Sequence, residues 1–286
     1  MTSHRRQTAE VDMMDQPAQI SPKTFQKFRD LVYERSGISL GPGKESLVAA
    51  RVGKRMRALG LTVYEDYLAH VQRDQTGEEI VLLLDAISTN VTSFYREGAH
   101  FEMLSGLMEK WIGQGQRRFR FWSAACSTGE EPYTMAITLR EALGGRPADV
   151  RILATDISTR ALGRAIEGVY EAEKVAPIPL QVRNRYFDMV REGADKRYAA
   201  RAELKEMVAF RRLNLSSPPF PMQGPMDAVF CRNVMIYFDA TVRRNLLAEI
   251  HRLLKPGGYL MVGHAESLTG VANGFRTVKP SVYVKE

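Results

Sequence analysis

The residues best placed to do chemistry lie in the stretch FRFWSAACSTGEEPYTMAI, where an apolar run gives way to small residues and then to a helical pattern. Ser123, Ala124, Ala125 and Gly129 let a ligand approach the backbone closely, and Glu130 and Glu131 stand where the helix begins. A phosphate-binding loop would leave that positive helix end bare for the anion. Two carboxylates suit a cationic ligand group instead, such as the ammonium or sulfonium of S-adenosylmethionine, or else they only complement the helix dipole. A second strand pattern, RILATDIS, carries Asp156 at its end. An acidic side chain there can hold ribose hydroxyls, in NAD-binding and S-adenosylmethionine-binding folds alike. The first loop lacks G-x-G-x-x-G, which argues against a pyrophosphate and so against NAD.

Other chemistries find little support. No serine–histidine–acid constellation or metal-ligand spacing stands out, and the five histidines are scattered. Cys126 and Cys231, the only two cysteines, read as buried reduced thiols at strand ends rather than a redox pair. A net charge of +7 points to an acidic partner, whether nucleic acid, membrane surface or protein. No apolar run is long enough to span a bilayer and the first residues lack a signal-peptide pattern, so the cytoplasm is expected.

The elements that must position these residues follow from periodicity. Residues 1–20 are polar and aperiodic and read as a disordered tail. Ser21-Pro22 opens a helix with Phe25, Phe28, Leu31 and Val32 on one face and Gly37 at its end. A second helix spans about 45–59, Thr62 and Glu65 form a capping box for a third, and Ile80, Leu83, Leu84 and Ile87 mark a fourth. After a polar stretch comes an amphipathic helix with Phe101, Leu104, Leu107, Met108 and Trp111. Strands near 119–125, 150–155, 207–213, 228–231 and 259–263 then alternate with helices near 131–143, 158–167 and 240–254. That alternation predicts an α/β fold with a parallel sheet covered on both faces. The gap between the helix ending near Glu167 and the strand near Met207 is too long for a plain loop, so something folded is inserted there. Residues 275–285 read as an added strand able to run antiparallel.

Three segments taken together, STNVTSFYRE (88–97), STGEEPYTMA (127–136) and CRNVMIYF (231–238), resemble the signatures of the CheR family of chemotaxis receptor methyltransferases. LLKPGGYLMV resembles the corresponding turn of class I methyltransferases. The likeness covers about residues 21–286. It implies a class I, Rossmann-like S-adenosylmethionine methyltransferase domain at 91–286, an N-terminal all-helical receptor-docking domain at 21–90, and a small antiparallel β-subdomain inserted at about 168–206. It further implies that Asn90, Thr92, Arg96 and Glu130 contact the cofactor and that Asp156 holds the ribose. Asn214 and Leu215 would border the adenine, and Arg232 and Asn233 would line the pocket. The implied reaction methylates glutamates on the cytoplasmic domain of methyl-accepting chemoreceptors and releases S-adenosylhomocysteine.

Such a reaction needs no general base and no metal, because a glutamate is already ionised at neutral pH. What remains is to hold oxygen, methyl carbon and sulfur in line and to exclude water. Arg96, through a two-pronged contact, and Tyr237, through one hydrogen bond, are the candidates for orienting the substrate carboxylate. Around the helix at 45–59, Arg51, Lys54, Arg55 and Arg57 lie opposite Val48, Val52 and Met56, forming either a solvated face or a docking surface for an acidic receptor. The stretch REGADKRYAARAEL lacks the Gly-x-Gly of family members that recognise a receptor tether peptide, which predicts tether-independent methylation. A monomer is expected, with no nucleic acid and no membrane contact except through the receptor. A nucleic-acid methyltransferase would carry Asn/Asp-Pro-Pro-aromatic after the fourth strand, whereas Pro218-Pro219-Phe220 precedes it here. A non-enzymatic scaffold is disfavoured by the match at every cofactor position.

Overall fold

The computed structural model describes residues 20–192, 195–268 and 274–286. The expected tail at 1–20 thus lies, except for Ile20, outside the described residues. Two compact units form: one holds the described residues up to Arg35 together with Ser39–Ser88, the other Ser36–Ile38 with Thr89–Glu286. The sequence placed the boundary after residue 90; the units part between Ser88 and Thr89.

The first unit is helical, built from α1 (Pro22–Ser36), α2 (Glu45–Ala58), α3 (Tyr64–Arg73) and α4 (Glu78–Ile87). Ser21 Oγ accepts the Thr24 amide at 3.1 Å, and Gly37 at φ +70° follows α1 in a conformation that favours glycine. Phe28, Val48, Val52, Tyr67 and Leu83 fill its core. Inside it, Glu79 takes two 2.7 Å bonds from Arg55 and one of 2.8 Å from the Tyr67 hydroxyl. The Thr62–Glu65 capping box does not form: α3 starts at Tyr64, its N-cap Val63 offers no side-chain bond, and Glu65 accepts the Thr24 hydroxyl of α1 instead. A tertiary partner has outcompeted the local one.

The second unit opens with α5 (Ala99–Gly113), followed by β1 (Arg118–Ser123), α6 (Glu130–Leu143), β2 (Asp149–Asp156) and α7 (Thr159–Glu167). Beyond the insertion come β6 (Val208–Arg212), β7 (Met226–Cys231), α11 (Ala240–Leu253), β8 (Leu254–Val262), β9 (Phe275–Lys279) and β10 (Val282–Lys285). The sheet runs β6-β2-β1-β7-β8-β10-β9, with its first five strands parallel and β10 antiparallel to both β8 and β9. The added C-terminal strand is therefore a pair of strands. Alternation fills both faces: Phe119, Phe121, Ala228 and Phe230 enter one core cluster, Trp122, Val229 and Cys231 the other. The Pro-Gly-Gly turn interrupts the start of β8: Met226 pairs with Leu254 and the register then jumps to Ala228 with Tyr259, so that the intervening residues loop out.

The insertion contains a three-stranded antiparallel sheet, β3 (Val169–Glu171), β5 (Asp195–Ala200) and β4 (Phe187–Glu192), with β5 in the middle. Short helices α8 (Ala172–Val175), α9 (Leu180–Tyr186) and α10 (Ala202–Lys205) frame it. The turn whose composition predicts tether independence includes residues 193–194, which lie outside the described residues. The architecture is a Rossmann-like α/β sheet with a helical N-terminal domain and an antiparallel insertion. No helix among the described residues is long and apolar enough to cross a membrane.

Candidate active site

Strand order reverses between β1 and β7, and in a doubly wound sheet the crevice beyond the carboxyl ends at that point is where ligands bind. The loop leaving β1 is tied to both neighbours: the Ala124 amide donates to Phe230 O at 2.8 Å and the Cys126 amide to Thr155 O at 2.9 Å. Gly129 turns the chain at φ +96°, where an added Cβ would lie 2.7 Å from Tyr170 Oη and 2.9 Å from Ala165 Cβ. Only glycine fits there. The turn delivers Glu130 to the first position of α6.

Glu130 is 1% exposed. Its Oε2 accepts the Thr128 hydroxyl at 2.6 Å, whereas Oε1 is buried with no hydrogen-bond partner. A buried acceptor left without a donor is costly. The cation nearest to that oxygen is Lys174 of α8, with Nζ at 3.5 Å. The same Nζ donates to Thr92 O at 3.3 Å. An orphaned, anionic acceptor in this crevice fits an ammonium group such as that of S-adenosylmethionine.

Asp156 ends β2 and accepts the Ser127 amide at 2.8 Å and the Ser158 amide at 2.9 Å. Asn90 joins the same cluster, donating to Ser158 Oγ at 3.4 Å while its carbonyl accepts the Ser127 hydroxyl at 3.1 Å. Asn90, Thr92, Glu130 and Asp156 are thus brought together. Asn214 and Leu215 follow β6, which the Leu213 amide ties to Asp156 O at 3.0 Å. Asn214 closes a turn on Ser216 and Ser217, and Leu215 is buried.

Glu131 points away from Glu130. It accepts the Ser123 hydroxyl at 2.7 Å and Arg232 Nη1 at 3.0 Å. The Arg232 guanidinium, fully buried, also donates to Glu97 at 3.0 Å and to the carbonyl of Arg96, and lies 5.5 Å from the Phe101 ring centroid. Its two Nη groups therefore brace the 95–97 turn, while its Nε is buried without a hydrogen-bond partner. Burial holds the Glu131 carboxyl above its usual range; at Glu97 burial acts the same way, but the Arg232 charge and hydrogen bond outweigh it and hold that carboxyl low. Tyr95 and Glu97 both take φ +55°, a strained conformation for such residues. Between them Arg96 folds its guanidinium onto Val91 O at 2.9 Å.

Asn233, at φ +57°, donates through Nδ2 to Glu97 at 3.3 Å. Its amide and that of Gly263 each donate to Glu266 Oε2 at 2.7 Å, and the Ile236 amide reaches Oε1 at 3.3 Å. Glu266 so fixes the turn carrying half-buried Tyr237 to the end of β8. Of the four basic residues expected on a docking surface, Lys54 and Arg57 are exposed. Arg51 donates to the carbonyls of Ile87 and Ser88, and Arg55 is engaged by Glu79.

Sequence spacing gave no sign of Lys174 or Glu266, and Glu97, the last residue of the first signature, had no role assigned to it, because their partners are far away in the chain. Two of the scattered histidines also meet: Glu97, His100 and His264 place possible metal-ligand atoms within 4.8 Å of one another, though Glu97 is already engaged by Arg232 and Asn233. His100 is 2% exposed with neither ring nitrogen hydrogen-bonded, and burial, aided by the Arg232 charge against Glu97, lowers its pKa to about 4. Both cysteines are buried free thiols whose pKa burial pushes well up.

Comparison with known proteins bears on this geometry. Residues 90–284 match the family model described as CheR methyltransferase, SAM binding domain, and residues 23–88 match CheR methyltransferase, all-alpha domain. The chain is 40% identical to chemotaxis protein methyltransferase 2 of Pseudomonas aeruginosa (strain PAO1), over 91% of each chain. It is 37% identical to the chemotaxis protein methyltransferase of Salmonella typhimurium (strain LT2), over 97% of this chain and 95% of that one. Its identity to the Escherichia coli (strain K12) protein of the same name is 36%, over 97% and 96%.

Proposed function

The chain belongs to the CheR methyltransferase family, and from that premise we propose that it transfers the methyl group of S-adenosylmethionine to glutamate side chains on the cytoplasmic domains of methyl-accepting chemoreceptors. The products are glutamate methyl esters and S-adenosylhomocysteine. The observation that carries this reading is the buried Oε1 of Glu130, which accepts no hydrogen bond and has Lys174 as a loose ion-pair partner at 3.5 Å, in the crevice at the strand reversal, next to the Asp156 cluster. It supports an ammonium-bearing nucleoside and disfavours a phosphate, which an acidic helix start would repel.

S-adenosylmethionine bound there supplies a methyl group already activated by its sulfonium. The chain's own residues do the rest. Glu130 receives the ammonium, Asp156 the ribose hydroxyls, and Asn90 and Thr92 close the same side. Asn214 and Leu215 border the adenine, while Arg232 and Asn233 fix the end of β7 behind the reacting groups. Arg96 and Tyr237 orient the incoming carboxylate, and Arg96 screens its charge without quenching it. No proton needs to be removed, because the carboxylate attacks as the anion it already is. Docking falls to the helical unit, where Lys54 and Arg57 present positive charge, and in this reading a cytoplasmic monomer suffices. No nucleic acid takes part, and the membrane is approached only through the receptor.

Incubating the protein with methyl-labelled S-adenosylmethionine and receptor-containing membranes tests the proposal. Alkali-labile label on the receptor and none on added RNA is the expected result. Label that survives alkali, or that appears on RNA, overturns it.

A further inference from the structure

Lys174 belongs to none of the signatures read from the sequence, yet it reaches the crevice from the inserted subdomain. Its Nζ is 3.5 Å from Glu130 Oε1, an oxygen that accepts no hydrogen bond, and 3.3 Å from Thr92 O. The side chain is 43% exposed, so the structure does not need it as a core element. In an α-amino acid the ammonium and the carboxylate hang from one carbon, only about 3 Å apart by ordinary covalent dimensions. A site for such a zwitterion wants an anion and a cation side by side at a similar spacing. Glu130 and Lys174 are that pair.

We propose that Lys174 is a cofactor-binding residue that recognises the α-carboxylate of the methionine portion of S-adenosylmethionine, while Glu130 takes the α-ammonium. The inference rests on the reading that this crevice holds S-adenosylmethionine. It gives the inserted subdomain a part in ligand binding, since α8 follows β3 directly and carries the lysine. It also makes the site selective for an intact amino-acid end: each charge of the ligand meets its opposite, and a nucleoside lacking the carboxylate leaves Lys174 with only its contacts inside the protein, Glu130 and the Thr92 carbonyl.

Calorimetric titration of the full-length chain with two ligands separates the roles. S-adenosylhomocysteine carries both charges; decarboxylated S-adenosylmethionine keeps the ammonium and sulfonium but has no carboxylate. In Lys174→Met the Kd for S-adenosylhomocysteine should rise about tenfold, as for the loss of one partly exposed charge-assisted hydrogen bond, while the Kd for the decarboxylated ligand stays put. Lys174→Arg should recover most of the loss. Glu130→Gln should weaken both ligands. A Lys174→Met chain that loses both ligands equally, or that binds S-adenosylhomocysteine as the parent does, overturns the inference, the first outcome marking Lys174 as a structural staple. If the parent chain binds neither ligand, the cofactor reading itself falls and this inference with it.

Discussion

Buried side chains around Arg232 show how single residues hold this site. One guanidinium joins Glu97, Glu131 and the Arg96 carbonyl, so removing it leaves two carboxylates facing a dry interior. Arg232→Met should therefore cost about 3–5 kcal/mol in denaturant unfolding, far beyond an average surface change. Arg96 is different: half-buried and held only to Val91 O, it should be dispensable for folding. Arg96→Ala is expected to keep the parent's Tm and to lower turnover by about 10²-fold, and an unchanged rate would remove it from the mechanism. His100 makes the fold sensitive to pH. Its folded pKa of about 4 lies below the ordinary 6.5, so between those values the unfolded chain binds more protons and stability falls as pH drops. Full stability from this group is present above pH 6.5. Up to about 3 kcal/mol should be lost by pH 4, with Glu97, whose carboxyl is also held low, adding to the loss at the acid end. Unfolding curves at pH 7 and 5 should differ less in His100→Leu than in the parent, and an equal difference would assign the effect elsewhere.

At the scale of elements, loops at strand ends do the positioning, and glycine sets the sharpest turn. Gly129→Ala forces an L side chain into φ +96° and into contact with Tyr170 and Ala165, so it should destabilise by about 3 kcal/mol and weaken cofactor binding together. Stability unchanged within error would show that the turn can relax. Most elements were legible because period and composition agree: the apolar stripe of α5, the apolar–polar alternation that opens β1 and β2, and the nearly unbroken apolar run of β7 fit the elements that form. The failures have local causes. Thr62 and Glu65 had the spacing of a cap, but Glu65 found Thr24, and spacing cannot reveal a partner in another helix. Lys255–Gly258 makes the turn that Pro and Gly predict, but does so between two paired positions, Leu254 and Tyr259, which spacing alone does not reveal.

For the whole molecule, the site is a convergence of segments distant in sequence, which explains what could be read beforehand. Glu130 and Asp156 announce themselves through position at strand and helix ends. Lys174 and Glu266 carry no such mark, and Glu97 stands in a signature without a legible role, since each acquires meaning only from a partner that folding supplies. The basic residues of α2 acquire their roles in the same way. Arg51 and Arg55 are spent inside the helical unit, which leaves Lys54 and Arg57 as the exposed pair of the four basic residues on which the proposed docking depends. Reversing both to glutamate should lower receptor affinity about tenfold, most visibly at low salt, and leave S-adenosylhomocysteine binding intact. Parallel loss of both affinities would indicate misfolding. Every role assigned here presupposes that the crevice beyond β1 and β7 takes up the sulfonium nucleoside, and titrating the folded, full-length chain with S-adenosylhomocysteine measures that directly. One molecule bound per chain, with binding lost or much weakened in Glu130→Gln at unchanged Tm, is the predicted result; no heat of binding from a chain that unfolds cooperatively would contradict it.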